Sequence, residues 1–167
     1  MSIDPREYRR ALGRFPTGVT IVTARSAEGR YIGLTANSFA SVSLEPALVS
    51  WSLRRASALF QIFTHASHFA VNVLGASQAE LAARFAARCD DRFRGVAVTE
   101  GIAGLPLIEG ALACFECALV ACHGAGDHGI FIGQVERYTS AARAELPLVF
   151  SQGAYTTPRE SRGLLCS

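Results

Sequence analysis

The 167-residue chain is 50% hydrophobic and 18% charged, with a formal net charge of +2. That length suits one domain able to bury its own core, and so small a charge excludes a nucleic-acid-binding surface, which needs concentrated positive charge. The charge content is low for a lone monomer and predicts a homodimer that hides part of its surface.

All 16 basic residues are arginine. Arg6, Arg9, Arg10 and Arg14 form a local cluster in a segment with helix grammar. Asp4 suits the N-cap, Pro5 the first helical position and Gly13 the end, so residues 1–14 read as an N-terminal helix with a solvated arginine face. Met1–Arg14 is polar where a secretory signal would be apolar. The stretch Ala56–Ala79 lacks Asp, Glu and Arg but carries Ser57, Gln61, Thr64, His65, His68, Asn72 and Gln78, which is too polar for a membrane span. The expectation is a cytoplasmic protein with no membrane partner.

Val19–Ala24 and Tyr31–Leu34 read as a hairpin around the turn Ser26–Gly29. Thr35–Leu44 is small and hydroxyl-rich and ends at Glu45-Pro46; Ala47–Leu53 is again a strand. Arg55–Thr64 has Ala58, Leu59, Ile62 and Phe63 at helical spacing. Phe69–Leu74 alternates as a strand, and Ser77–Glu80 reads as a capping box that opens a helix through Arg88, burying Leu81 and Phe85. Beyond the Gly101–Gly104 loop, Ala111–His123 and Gly129–Tyr138 pair as a long hairpin around Gly124–His128, and Pro147–Ser151 is a last strand. Six or seven strands that mostly follow one another predict a mainly β, antiparallel barrel with short helices. With neither βαβ alternation nor G-x-G-x-x-G, a dinucleotide-binding Rossmann domain is not expected.

The cysteines are Cys89, Cys114, Cys117, Cys122 and Cys166. An odd number without an export signal predicts reduced thiols. Cys114 and Cys117 match C-x-x-C, but an offset of three within a strand puts their sulfurs on opposite faces, which suits neither a shared metal nor a disulfide. His65 and His68 have no thiol or carboxylate pattern beside them and read as loop residues. No metal site is expected.

Three segments depart from plain structural grammar. Gly33–Ser41, with Thr35, Ala36, Asn37 and Ser38 at its centre, offers hydrogen-bond handles without bulk, as a flat heteroaromatic ring requires; it equally suits a polar turn. Ser52–Ser57 places Ser52, Arg54, Arg55 and Ser57 where a strand runs into a helix start; this is either a phosphate cradle or a helix cap with solvated arginines. Gly126-Asp127-His128, followed by Gly133, either lets a second planar group approach the backbone, with Asp127 fixing the His128 imidazole, or is an ordinary β-turn. Neither G-x-S-x-G nor H-E-x-x-H is present, which suits a reaction whose chemistry belongs to a cofactor.

Taken in order, Phe15–Thr23, Gly33–Phe39, Ser41–Pro46, Phe69–Leu74 with Gln78, and Gly126–His128 through Gly133–Val135 resemble the flavin reductase-like family. These are short-chain NAD(P)H:flavin oxidoreductases that serve two-component flavin-dependent monooxygenases. The similarity runs over roughly residues 8 to 155. It implies a single domain over 1–167 with a tail, 158–167, of no assigned role. The implied fold is an FMN-binding split β-barrel, Greek-key-like, dimeric, with the flavin near the dimer interface. By this resemblance Thr35, Ala36, Asn37 and Ser38 hold the isoalloxazine ring, and Ser52, Arg54 and Ser57 meet the flavin phosphate. Phe85 and Arg88 touch the ribityl or nucleotide end. Gly126, Asp127 and His128 receive the nicotinamide, His128 by positioning it rather than by acid–base work. The implied activity is reduction of FMN or FAD by NADH or NADPH, with reduced flavin diffusing to a monooxygenase. The alternatives are a flavoprotein that retains FMN as carrier or sensor, or a reductase for another acceptor such as a corrin.

Overall fold

The computed structural model describes residues 3–89, 91–142 and 145–158; the tail beyond residue 158, with Cys166, lies outside them. The chain opens with helix α1 (Pro5–Leu12), whose first turn is capped by Asp4 Oδ1 accepting the Arg6 N–H at 2.7 Å. Arg6, Arg9, Arg10 and Arg14 are exposed as expected, and α1 buries no residue in its own chain.

Seven strands make the main sheet: β2 (Thr20–Arg25), β3 (Tyr31–Ala36), β4 (Ala40–Leu44), β5 (Ala47–Arg54), β6 (His68–Val73), β9 (Ala113–Ala125) and β10 (His128–Ser140). Their order is β3-β2-β6-β9-β10-β5-β4, antiparallel throughout. The edges β3 and β4 do not pair with each other, so the curled sheet is a split barrel. Two ribbons complete it, β1 (Thr17–Gly18) with β11 (Val149–Ser151) and β12 (Ala154–Thr156), and β7 (Val98–Glu100) with β8 (Pro106–Ile108). Both expected hairpins form, β2–β3 and β9–β10.

Alternation along the strands divides two cores. Inside the barrel, Trp51 stacks on Phe131 with ring centroids 4.6 Å apart and is edged by Phe63 and Phe69. Val22, Val49, Leu53, Val71 and Cys117 complete this cluster. Outside it, Val19, Ile21, Leu74, Ala82, Phe85, Ile108 and Leu148 pack the sheet against helix α3 (Ala79–Ala86) and the ribbons. Since β2 is covered on both faces, it is buried almost throughout, where a half-exposed strand would alternate. Buried Asn72 joins the layers: its Nδ2 donates to Ile21 O at 2.9 Å, and its Oδ1 accepts the Ile108 N–H at 2.9 Å.

Four local expectations are corrected. Gly33–Ser41, for which a polar turn is one of two readings, is instead the end of β3, a short connection and the start of the edge strand β4. Helix α2 (Phe60–His65) starts at Phe60 rather than Arg55, because residues 55–59 form turns. The Ser77–Glu80 capping box does not form: Gln78 Oε1 accepts the Gly75 N–H at 3.1 Å, and Ser77 Oγ donates to Glu145 Oε1 at 2.6 Å. Finally, α3 ends at Ala86, before Arg88.

Cys114 and Cys117 do lie on opposite faces of β9. Cys114 meets Asn72 at 3.2 Å, whereas Cys117 sits inside the barrel. Burial pushes their thiols up to about 11 and about 12, so both stay protonated and behave as small apolar groups.

Candidate active site

The first two segments are joined by a single hydroxyl. Ser38, between β3 and β4, accepts the Ser52 N–H at 2.9 Å and donates to Ser52 O at 3.2 Å, so the turn is pinned on β5. Along β5, Val49, Trp51 and Leu53 are buried in the barrel. Ser50, Ser52 and Arg54 therefore project from the other face.

Register brings in the third segment. β10 sets Ile130 opposite Ser52 and His128 opposite Arg54, and residues directly opposite share a face. The β9–β10 hairpin turns through two residues, Gly126 and Asp127. Gly126 has φ 58°, the left-handed value required at the first position of a type II′ turn. Asp127 then works with three atoms. Its carbonyl accepts the Arg55 N–H at 2.9 Å, its Oδ1 lies 2.7 Å from His128 Nδ1, and its Oδ2 lies 3.8 Å from Arg54 Nε. The His128 hydrogen bond first, and the charges of His128 and Arg54 after it, hold the Asp127 carboxyl below its ordinary range. Because Nδ1 is engaged, His128 offers Nε2 to a ligand.

Beside this face lies a concavity of about 190 Å³ lined by Val19, Thr35, Asn37, Ala86, Phe150 and Tyr155. Thr35 Oγ1 is committed to Ala82 O at 2.6 Å, and Ala36 is buried, its carbonyl accepting Thr20 Oγ1 at 2.8 Å. These two position the segment. Asn37 is exposed and its amide makes no hydrogen bond among the described residues, so it is the polar group this wall presents. Small-molecule pockets enclose roughly 300–1,000 Å³, so this concavity is smaller than a whole ligand pocket. The chemistry fits a flavin: an amide and hydroxyls beside apolar and aromatic surface, with exposed Arg54 and Arg55 alongside for a phosphate.

Several expected roles change. Ser57 Oγ accepts the Leu59 N–H at 3.3 Å within a turn, and α2 begins beyond it, so no helix N-terminus stands at Ser57. A phosphate here would meet side chains rather than a helix dipole. Phe85 is only 1% exposed, packed edge-on to Phe93 and against Gly33, and has no surface for a ligand. Arg88 is exposed but lies past the end of α3, off the helix that was expected to aim it. Gly133 faces the barrel interior, where an added methyl would collide with Phe69 and Cys117; its smallness serves packing, not a ligand. His65 Nδ1 pairs with Gln61 O, His68 Nε2 lies 3.4 Å from Glu136, and no metal-binding cluster occurs among the described residues. Phe150 and Tyr155 were not anticipated. They lie more than a hundred residues beyond Asn37, and only the pairing of β11 with β1 and β12 carries them here.

Known proteins are similar to this chain in sequence and in fold. The chain is 49% identical over 152 residues to the FMN reductase (NADH) SmoA of Agrobacterium fabrum, covering 91% of this chain and 85% of that protein. It is 46% identical over 156 residues to the reductase component of the flavin-dependent trigonelline monooxygenase of Acinetobacter baylyi, covering 93% of this chain but only 50% of that longer protein. The structure of the NADH:FAD oxidoreductase SgcE6 of Streptomyces globisporus C-1027, in complex with NAD and FAD fragments, superposes with a TM-score of 0.87 at 39% identity, covering 98% of this chain and 99% of that one. The model of the flavin reductase like domain matches residues 12–159, which include all three converging segments. The chain belongs to the flavin reductase-like family.

Proposed function

We propose that this chain is an NAD(P)H:flavin oxidoreductase that reduces FMN or FAD and releases the reduced flavin to a monooxygenase partner. The observation that carries this reading is the convergence of three separate segments on one sheet face, through the Ser38–Ser52 and Arg55–Asp127 hydrogen bonds and the Arg54–His128 register. When bound, the flavin supplies the hydride-accepting ring and the nicotinamide supplies the hydride. The protein supplies position. Asn37 and Ser38 orient the ring edge, Thr35 and Ala36 hold that segment in place, Ser52 and Ser57 shape the bend, and Arg54 faces the phosphate. Gly126 and Asp127 set the height and tautomer of His128, which positions the nicotinamide. No side chain need carry a proton, since hydride transfer asks for stacked, water-shielded rings.

Residues 1–167 are read as one functional unit acting as a cytoplasmic homodimer. Among the described residues no helix is long and apolar enough to cross a membrane. The open cavity and the exposed Tyr8, Leu12, Phe15, Val42, Leu44 and Tyr138 support a second copy closing the site. The test is steady-state oxidation of NADH and NADPH with added FMN or FAD. Stimulation by at least one flavin is expected; oxidation indifferent to both would refute the reading.

A further inference from the structure

Among the four described cysteines, Cys114 and Cys117 are buried, Cys122 is half-buried and Cys89 alone is exposed. The fifth, Cys166, belongs to residues 159–167, beyond the described chain. Cys89 and Cys166 approach the concavity of the candidate site from different elements. Ala86, the last residue of α3, lines it, and Cys89 follows three residues on. Tyr155 of β12 also lines it, and Cys166 follows eleven residues on.

Arginines hold the segment that carries Cys89. Arg92 Nε and Nη2 donate to Ala87 O at 3.2 and 2.8 Å, which ties the chain together on either side of Cys89. Arg84 Nη2 donates to Arg94 O at 2.6 Å and to Asp91 O at 3.3 Å. The thiol is therefore presented at a defined place within about 10 Å of Ala86, three residues at ~3.3 Å each. The eleven residues from Tyr155 to Cys166 reach up to about 36 Å when extended. Ala86 and Tyr155 border the same space of about 190 Å³, so this reach brings Cys166 to Cys89 within one chain at the separation a disulfide needs. Leu164 and Leu165 directly precede Cys166, an apolar pair matched to the surface of Val19, Phe150 and Tyr155. The family match stops at residue 159, so the tail and its cysteine lie beyond the matched domain.

We propose that Cys89 and Cys166 form a reversible disulfide that draws the tail across the concavity and shuts it to flavin. The proposal rests on the flavin-reductase reading and gives that site its regulation. The oxidant is hydrogen peroxide, which forms when reduced flavin that no monooxygenase takes up passes two electrons and two protons to dioxygen. One cysteine sulfur attacks the peroxide, breaking its O–O bond to give a sulfenic acid and water. The other sulfur attacks that sulfenic acid, forming the S–S bond and releasing a second water. Two thiols and one peroxide thus give one disulfide and two waters, and a dithiol reverses the step by exchange. A reductase that runs ahead of its partner closes itself.

The test treats the reduced full-length protein with hydrogen peroxide in the absence of nicotinamide, maps its peptides by mass spectrometry and titrates it with FMN and FAD. A Cys89–Cys166 bridge within one chain is expected. Affinity for the flavin that binds should fall about tenfold, as for a competitor tethered at an effective concentration on the order of millimolar. Dithiothreitol should restore it. Cys89→Ser and Cys166→Ser should each bind flavin as the reduced wild type does, before and after peroxide. Thiols that both stay free under peroxide, a bridge formed only between chains, or a bridge that leaves flavin affinity unchanged would each overturn the proposal and leave the reductase reading standing. So would a Cys166→Ser protein as sensitive to peroxide as the wild type. A reduced protein that binds neither flavin would overturn both.

Discussion

Replacing Arg137 by methionine tests how the long hairpin is anchored. Glu116 on β9 is 2% exposed, yet it accepts Arg137 Nε at 2.6 Å and Nη2 at 2.9 Å, and the Ile102 N–H at 2.6 Å. Burial is the largest single influence and pushes the Glu116 carboxyl up. The hydrogen bonds from Arg137 and Ile102, with the arginine charge, outweigh it and hold the group below its ordinary 4.5. Breaking a buried pair by removing one partner costs roughly 3–5 kcal/mol. The low end applies here, because the Arg137 side chain is 52% exposed and water can replace part of what it gives. A loss of about 3 kcal/mol lowers Tm by roughly 9 °C for a domain of this size, measurable by scanning calorimetry at pH 7. A group whose folded pKa is depressed stabilises the protein above its unfolded value and loses that contribution as the pH falls through the folded value. In Arg137→Met the buried carboxyl has lost its partner and is better tolerated protonated, so acid relieves the variant while it weakens the wild type. The difference between them should be widest near neutrality and shrink below pH ~4.5, and Glu116→Gln on top of Arg137→Met should recover part of the loss. A difference below 1 kcal/mol, or one equal at pH 4 and pH 7, would refute the argument. Arg137 stands nine residues from His128 along β10, about 30 Å, so turnover below the melting range should not change.

Three further outcomes are expected. His128→Ala should raise the KM for the nicotinamide substrate or slow hydride transfer while flavin affinity measured by titration stays within about twofold, because the imidazole belongs to the Gly126–Asp127 turn and not to the Asn37 wall; a collapse of flavin binding would reassign the hairpin. Gly133→Ala should destabilise the protein by roughly 1–3 kcal/mol in denaturant titration, since its methyl meets Phe69 and Cys117 in a filled interior; a neutral result would mean that the barrel is loosely packed there. A thiol reagent at pH 8 should modify exposed Cys89 and leave Cys114 and Cys117 untouched until the protein is unfolded, as thiols raised to about 11 and about 12 carry almost no thiolate; rapid labelling of either would contradict their burial.

Much of the fold was legible because strand periodicity is local. Both hairpins and the C-x-x-C geometry follow from alternation alone. The errors arose where one local signal stood for two structures. Ser57 after two arginines looks like a helix cap, yet residues 55–59 turn first, and the Arg55 N–H is taken by Asp127 from another strand. Ser77 and Glu80 have capping-box spacing, but Glu145, distant in sequence, claims the serine. For the site, composition marked three polar segments without saying that they meet. Their meeting is set by β5–β10 register and by one hydroxyl of Ser38, neither of which a single segment encodes. Phe85 is buried, as its place on the helix face predicts, and an aromatic there near a polar turn reads alike as ligand wall or core.

The opening helix has a consequence for solution behaviour. With eight residues it falls below the roughly 12–15 at which isolated helices hold together in water, and none of its side chains is covered by its own chain. It is tied to the body through the Gln152 N–H, which donates to Gly13 O at 3.0 Å. In the homodimer proposed above, a second copy would cover it and reward its winding. Dilution that separates subunits should therefore unwind this outrigger first, and the far-ultraviolet helical signal should fall with concentration before the barrel's tryptophan signal changes.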